Sequence, residues 1–190
     1  MKIPVYQIDV FMDVPFSGNP AAVCPLKEWL PAHVMQAIAA EMNLSETAFF
    51  VPSDQSSGEY DLRWFTPVVE VDLCGHATLA SGHVILTHMK PELDQITFNS
   101  RSGALGVARR TNMLELDFPS NPPVPLTDID EIAEVGNALG AVPSEVLHAY
   151  TTVAVFETET QVAGLKPDFA AVAELQQPWL IATAPADASE

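Results

Sequence analysis

The protein has 190 residues with 25 acidic side chains against 8 lysines and arginines, and its formal charge of −17 argues against any partner bound by neutralising phosphates. Nucleic acid and anionic membrane surfaces are therefore not expected partners. Apolar residues make up 48% of the sequence, enough for a sizeable core, yet no window is long and apolar enough for a membrane span or a secretory signal, so a cytoplasmic protein is expected.

In chain order, residues 5–10 alternate weakly and read as a strand. Ser17, Gly18, Asn19 and Pro20 read as a turn, because glycine and asparagine accept positive φ and proline ends pairing. A short apolar strand over 21–24 follows. The clearest helix covers 31–42: Pro31 suits its first turn, and Val34, Ile38 and Met42 form one stripe with Met35 and Ala39 beside it. Met35 and Met42 read as core packing. The sequence leaves this helix through Asn43, Leu44, Ser45 and Glu46 into a β-prone run over 47–51. Within 60–65, Tyr60, Leu62 and Trp64 face one side and Asp61, Arg63 and Phe65 the other.

Cys74-Gly75-His76-Ala77 opens a second helix reaching about residue 89, whose small and apolar residues predict burial. Strands over 96–99, 104–108 and 114–118 complete a first unit, residues 1–118. The proline-dense run that follows cannot be helix or central strand, and residues 119–125 read as a semi-rigid linker. Residues 126–190 form a second unit, with a helix over 131–139 stopped by Gly140, a strand over 153–156, and a helix over 168–175 that places Asp168 at its positive end. Charge is uneven: residues 111–190 hold 13 acids and only one base, Lys166.

Glu46 is the first candidate for chemistry. Its neighbours Leu44, Ala48, Phe49 and Phe50 disfavour a charged form, the condition for proton transfer near neutral pH. The alternative is an exposed loop acid. The second candidate is Gly75-His76, where a helix start leaves backbone N–H groups free for an anion and His76 can share a proton. The alternative is a tight turn with a hydrogen-bonded histidine cap. Cys74, at the helix start, is either an activated thiol or a buried structural one; Cys24, in an apolar strand, reads as core. His76, His83 and His88 share the helix, but their spacing does not put three ligands on one face, so no metal site is expected. Arg109-Arg110 reads as a solvated strand end. Phosphate-binding glycine loops, G-x-S-x-G and H-E-x-x-H are absent.

Five ordered segments carry a resemblance: residues 16–23 (FSGNPAAV), 41–47 (EMNLSET), 63–67 (RWFTP), 70–80 (EVDLCGHATLA) and 98–103 (FNSRSG). Together with Gly164-Leu165-Lys166-Pro167-Asp168-Phe169, they resemble the phenazine-biosynthesis (PhzF-like) isomerase and epimerase family. The resemblance implies an α+β fold of the diaminopimelate epimerase type, a β-sheet wrapped around a central helix in each of two related units, with the active site in the cleft between them. It implies no cofactor, commonly a homodimer, and a small carboxylated metabolite as substrate. Glu46 corresponds to the acid/base that moves a proton between carbons, and His76 resembles a proton-relaying residue. Asn19, Ser45, Gly75, Ala77 and Thr78 fall in the segments that hold substrate. Cys74 falls where the related epimerases keep a catalytic thiol.

Family members continue into an acidic segment and a G-S-A motif that supply a second catalytic carboxylate. Asp187 and Glu190 do not match it, so the second unit is expected to be incomplete, truncated at its C-terminal end. Two functions follow. One is an isomerase, or a fragment of one, working by glutamate acid/base catalysis. The other is an inactive truncated homologue that only folds, binds or dimerises. Racemisation by thiols would need a second sulfur opposite Cys74, and Cys24 is poorly placed to supply it.

Overall fold

The computed structural model describes residues 2–53, 58–177 and 179–186, which leaves Asp187 and Glu190 outside the described residues. The protein divides into two compact units between Pro119 and Ser120.

In the first unit, β1 (Tyr6–Val10), β2 (Asn19–Pro25), β3 (Glu46–Pro52), β4 (Glu59–Phe65), β5 (Glu70–Val71), β6 (Gln95–Ser100), β7 (Gly103–Arg110) and β8 (Met113–Asp117) form one sheet. Its order is β1-β2-β3-β4-β6-β7-β8, with β5 added to β4. Helix α1 (Ala32–Met42) packs on β3 and β4. Helix α2 (Gly75–Val84) packs on β1, β2, β3, β7 and β8. A helix that touches both ends of a seven-strand path requires the sheet to curl around it.

The alternation of side chains explains this arrangement. Ala48 and Phe50 of β3, with Tyr60, Leu62 and Trp64 of β4, join the core around α2. Phe49 and Phe65 point the other way and pack with Cys24, Met35 and Ala39 beneath α1. Both sheet faces are therefore covered here, which is why Phe65 is buried beside Trp64. The small residues of α2 allow close approach: a Cβ on Gly82 would lie 2.6 Å from Val107 Cγ1 of β7.

Several boundaries differ from the sequence expectation. Pro31 is the N-cap of α1, with ψ of 138°, not a first-turn residue. Strand β2 begins at Asn19-Pro20, and Pro20 lies opposite Asp9 of β1. Proline is tolerated because pairing with β3 starts only at Ala21, so no ladder donor is missed there. The second helix closes in a π-helical turn, Ile85–Met89. Arg109 is not a solvated strand end: its Nη2 donates to the Leu86 carbonyl at 2.6 Å, satisfying an acceptor near that helix end. Arg110 is exposed and pairs with Glu115.

The second unit has a four-stranded sheet, β9 (Val124–Pro125), β10 (Glu145–His148), β11 (Thr152–Val155) and β12 (Leu180–Thr183), in the order β12-β11-β10-β9. Helices α3 (Ile129–Leu139), α4 (Glu159–Ala163) and α5 (Phe169–Glu174) accompany it. Val135 and Leu139 of α3 pack with Val146, Ala154 and Phe156. Two residues of the proline-dense run thus form a strand, at a sheet edge where a missing N–H costs no internal pairing. Acids serve as caps: Asp128 accepts from the amides of Asp130 and Glu131, and Asp168 from those of Ala170 and Ala171. Capping by Asp128 starts α3 two residues before the expected 131.

Candidate active site

Register brings the first two pieces together. Strands β2 and β3 run parallel with Ala21 opposite Glu46, so Asn19-Pro20 and Ser45-Glu46 lie side by side at one end of the sheet. Asn43 makes the turn from α1 into β3, taking left-handed backbone (φ 51°) as the C-cap of α1. Gly18 serves close approach and not positive φ: a Cβ there would lie 2.2 Å from the Val10 carbonyl oxygen. The left-handed positions in this loop are Phe11 and Phe16.

The start of α2 supplies the third piece. Ser45 Oγ lies 3.4 Å from Asn19 Oδ1 and from the Pro20 carbonyl, and 3.3 Å from His76 Nε2. The same Nε2 is 3.4 Å from Glu46 Oε2. On its other side, His76 Nδ1 is 3.4 Å from Cys74 Sγ. Glu46 and His76 are sheltered, their side chains 19% and 10% exposed. The exposed-loop reading of Glu46 therefore does not hold: the carboxylate faces the imidazole at the mouth of α2.

Burial dominates the electrostatics. It holds the His76 imidazole below its ordinary pKa, against the opposing pull of Glu46 and the Pro20 carbonyl, which leaves the ring neutral at neutral pH. The Cys74 thiol is pushed up to about 12, first by burial and then by the charge and hydrogen bonding of Glu46. The amides of Ala77 and His76 draw it downward without overcoming burial. A helix start thus does not activate this thiol. Cys24, buried beneath α1, is likewise pushed up to about 12 by burial. Native protein treated with iodoacetamide at about pH 8 is accordingly expected to stay unmodified at both cysteines, and to react at both in urea. Fast labelling of Cys74 in intact-mass spectra of the native state would restore the activated thiol.

The first intrahelical bond of α2 runs from Thr78 N–H to the Cys74 carbonyl, so the amides of Gly75, His76 and Ala77 precede the helical ladder. Ala77 and Thr78 are fully buried. The Thr78 hydroxyl also donates to the Cys74 carbonyl at 2.5 Å, so this side chain ties down the helix start and presents no free group at the surface. Ser45 and Asn19 are exposed and Gly75 half-buried. One donor atom each from Glu46, Cys74 and His76 lies within 4.8 Å of the others. The histidine spacing within α2 does not reveal this set, because strand pairing delivers Glu46. A separate groove of about 1160 Å³ along β1, lined by Asp9, Phe11, Phe16, Leu79 and His83, includes none of Glu46, Cys74 and His76.

The phenazine biosynthesis-like protein family, PhzC-PhzF, matches residues 8–190. The chain belongs to this family. An uncharacterized isomerase of Pseudomonas aeruginosa is 48% identical over 170 residues, covering 90% of this chain and 63% of that protein. The chain thus spans somewhat less than two thirds of that relative's length. The crystal structure of a PhzF-family protein from Enterococcus faecalis superposes with a TM-score of 0.85 at 42% identity, over 99% of this chain and 70% of that one. A predicted epimerase from Pseudomonas aeruginosa shares the fold, with a TM-score of 0.76 at 21% identity over 95% of this chain and 70% of its own. Among the described residues no helix is long and apolar enough to cross a membrane.

Three family-like segments meet beside the site in a network that the sequence does not announce. Arg63 Nε and Nη2 donate to the two Glu70 oxygens at 2.7 and 2.8 Å, and Arg101 bridges Glu70 and Asp72. Arg63 also lies over the rings of Trp29 and Phe65. The network anchors the segment leading into Cys74. Glu70 is held below the ordinary carboxylate range, chiefly by its hydrogen bond from Arg63. Its contribution to stability is therefore complete above the unfolded-state pKa and is lost as pH falls through the lower folded-state value. Glu70→Gln is expected to cost on the order of 2 kcal/mol at neutral pH, with the cost shrinking below about pH 4. Urea unfolding at several pH values measures this; a cost independent of pH would show that the ion pair is not its source.

Proposed function

We propose that this chain acts as an isomerase that moves a proton between carbons of a small carboxylated metabolite, with Glu46 as the acid/base. The observation that carries the reading is the sheltered Glu46 carboxylate 3.4 Å from the His76 imidazole at the start of a buried helix. In this reading the first-turn amides at Gly75 and His76, with the positive end of the α2 dipole, hold the substrate carboxylate. Asn19 and Ser45 line the same rim and orient it.

Glu46 takes a proton from a carbon made acidic by an adjacent carbonyl or double bond. The electron pair left on carbon delocalises toward the group held by the amides, which stabilises the developing negative charge. Glu46, now protonated, returns the proton to another carbon. His76 holds Glu46 in place and can exchange a proton with it through Nε2, the proton returning to Glu46 before the second carbon is protonated. No external oxidant or reductant enters this cycle.

Deuterium uptake tests the proposal. The protein is incubated in D2O with a panel of small carboxylates bearing acidic C–H bonds, and the products are read by mass spectrometry. Carbon-bound deuterium in at least one compound supports the isomerase. No uptake across the panel favours the alternative, a protein that only folds, binds or dimerises.

A further inference from the structure

We propose that Glu46, Cys74 and His76 form a binding site for one thiophilic divalent ion, of which zinc is the model, and that the bound ion silences proton transfer. The silencing rests on the acid/base role given to Glu46; the binding does not.

Donor chemistry selects the ion. One carboxylate oxygen, one sulfur and one imidazole nitrogen suit zinc, whereas magnesium and calcium prefer shells of oxygen alone. Distances agree. Tetrahedral zinc bonds of about 2.0 Å to nitrogen or oxygen and about 2.3 Å to sulfur place neighbouring ligand atoms roughly 3.3–3.8 Å apart. Cys74 Sγ and His76 Nδ1 stand 3.4 Å apart, and all three donors lie within 4.8 Å of one another, so small side-chain rotations close the set.

The supporting shell is also present. An ion held through Nδ1, on the sulfur side, leaves Nε2 within 3.3 Å of Ser45 Oγ, the kind of outer partner that fixes a ligating imidazole once Glu46 has turned to the ion. Cys74 and His76 sit at the start of α2 and Glu46 at the start of β3, both packed against the main core. Three protein ligands leave the fourth position for water. On binding, the Cys74 S–H bond breaks, its proton passes to water and a sulfur–metal bond forms, with no change of oxidation state. The Glu46 oxygen that would accept a carbon-bound proton is then committed to the ion.

The test uses the untagged 190-residue protein, freed of metal by chelator and dialysed against Zn²⁺ or Co²⁺. The expected result is one equivalent bound per molecule, with a sulfur-to-cobalt charge-transfer absorption in the wild type. Cys74→Ala should abolish that band and weaken binding by at least about 10-fold. Deuterium uptake by the wild type should fall as zinc saturates the site. Absence of stoichiometric binding or of the band overturns the proposal, as does a band that survives in Cys74→Ala. Because the band is read on wild-type protein, a poorly folded variant does not decide the matter. Stoichiometric binding with undiminished deuterium uptake overturns the silencing. A wild type that binds cobalt with the band but never exchanges deuterium refutes the proposed isomerase and leaves the metal site standing.

Discussion

Glu46→Gln is expected to lower the rate of solvent-deuterium exchange by a factor of about 10²–10⁴, the usual contribution of a positioned acid/base, with a much smaller change in KM. The amide keeps the size and hydrogen-bonding reach of the side chain but cannot take a proton from carbon. It remains beside His76, whose Nε2 lies 3.4 Å from the carboxylate, so the rim proposed to hold substrate is preserved. Glu46→Asp draws the carboxylate back by one methylene and should retain part of the activity. His76→Asn should fall between the two, because it removes a relay and an orienting contact while leaving the base. If Glu46→Gln exchanged deuterium at the wild-type rate, Glu46 would have no part in the chemistry. If His76→Asn lost more than Glu46→Gln, the imidazole would be the base and the carboxylate its orienting partner.

The sequence reveals these residues but not their meeting. Glu46, Cys74 and His76 are recognisable because their segments resemble a family, and amphipathic alternation places β4 and α1 without that help. The parallel pairing of Ala21 with Glu46 has no local signature, since nothing between residues 21 and 46 states which strand becomes the neighbour. That pairing is what carries Asn19, Ser45 and Glu46 to the start of α2. Similarly, the Arg63–Glu70–Arg101 network depends on β4 pairing with both β5 and β6, so the three motifs look independent until the sheet is formed.

The differences between sequence and structure have local physical causes. Gly18 reads as a residue chosen for positive φ, but the constraint is a carbonyl of the preceding strand, a contact invisible from neighbours in sequence. Cys74 reads as open to activation because helix starts favour anions; burial of the sulfur, together with the adjacent carboxylate, outweighs that preference. Thr78 falls in a segment that the family resemblance implies holds substrate, yet its hydroxyl closes back on the Cys74 carbonyl.

Phe98→Ala is expected to destabilise the first unit by about 3–5 kcal/mol, the cost of deleting a fully buried aromatic ring and leaving a cavity. Phe98 is 0% exposed and packs with Phe50 and Tyr60, its ring centroid 6.2 and 6.1 Å from theirs. It also lies on β6 opposite Tyr60, where β4 and β6 run parallel and join the two parts of the sheet that α2 holds. Loosening this junction should therefore weaken the grip on α2 as well as remove apolar contacts. Domains of this kind are stable by only about 5–15 kcal/mol, so the loss should appear as a large drop in the urea midpoint. Met113→Ala, on the exposed face of β8, is the comparison: its side chain is 74% exposed and the change should stay within about 0.5 kcal/mol. Equal midpoints for the two variants would mean that the aromatic cluster is not the packed centre of the sheet, and that the placement of Cys74 and His76 depends on something other than the core around α2.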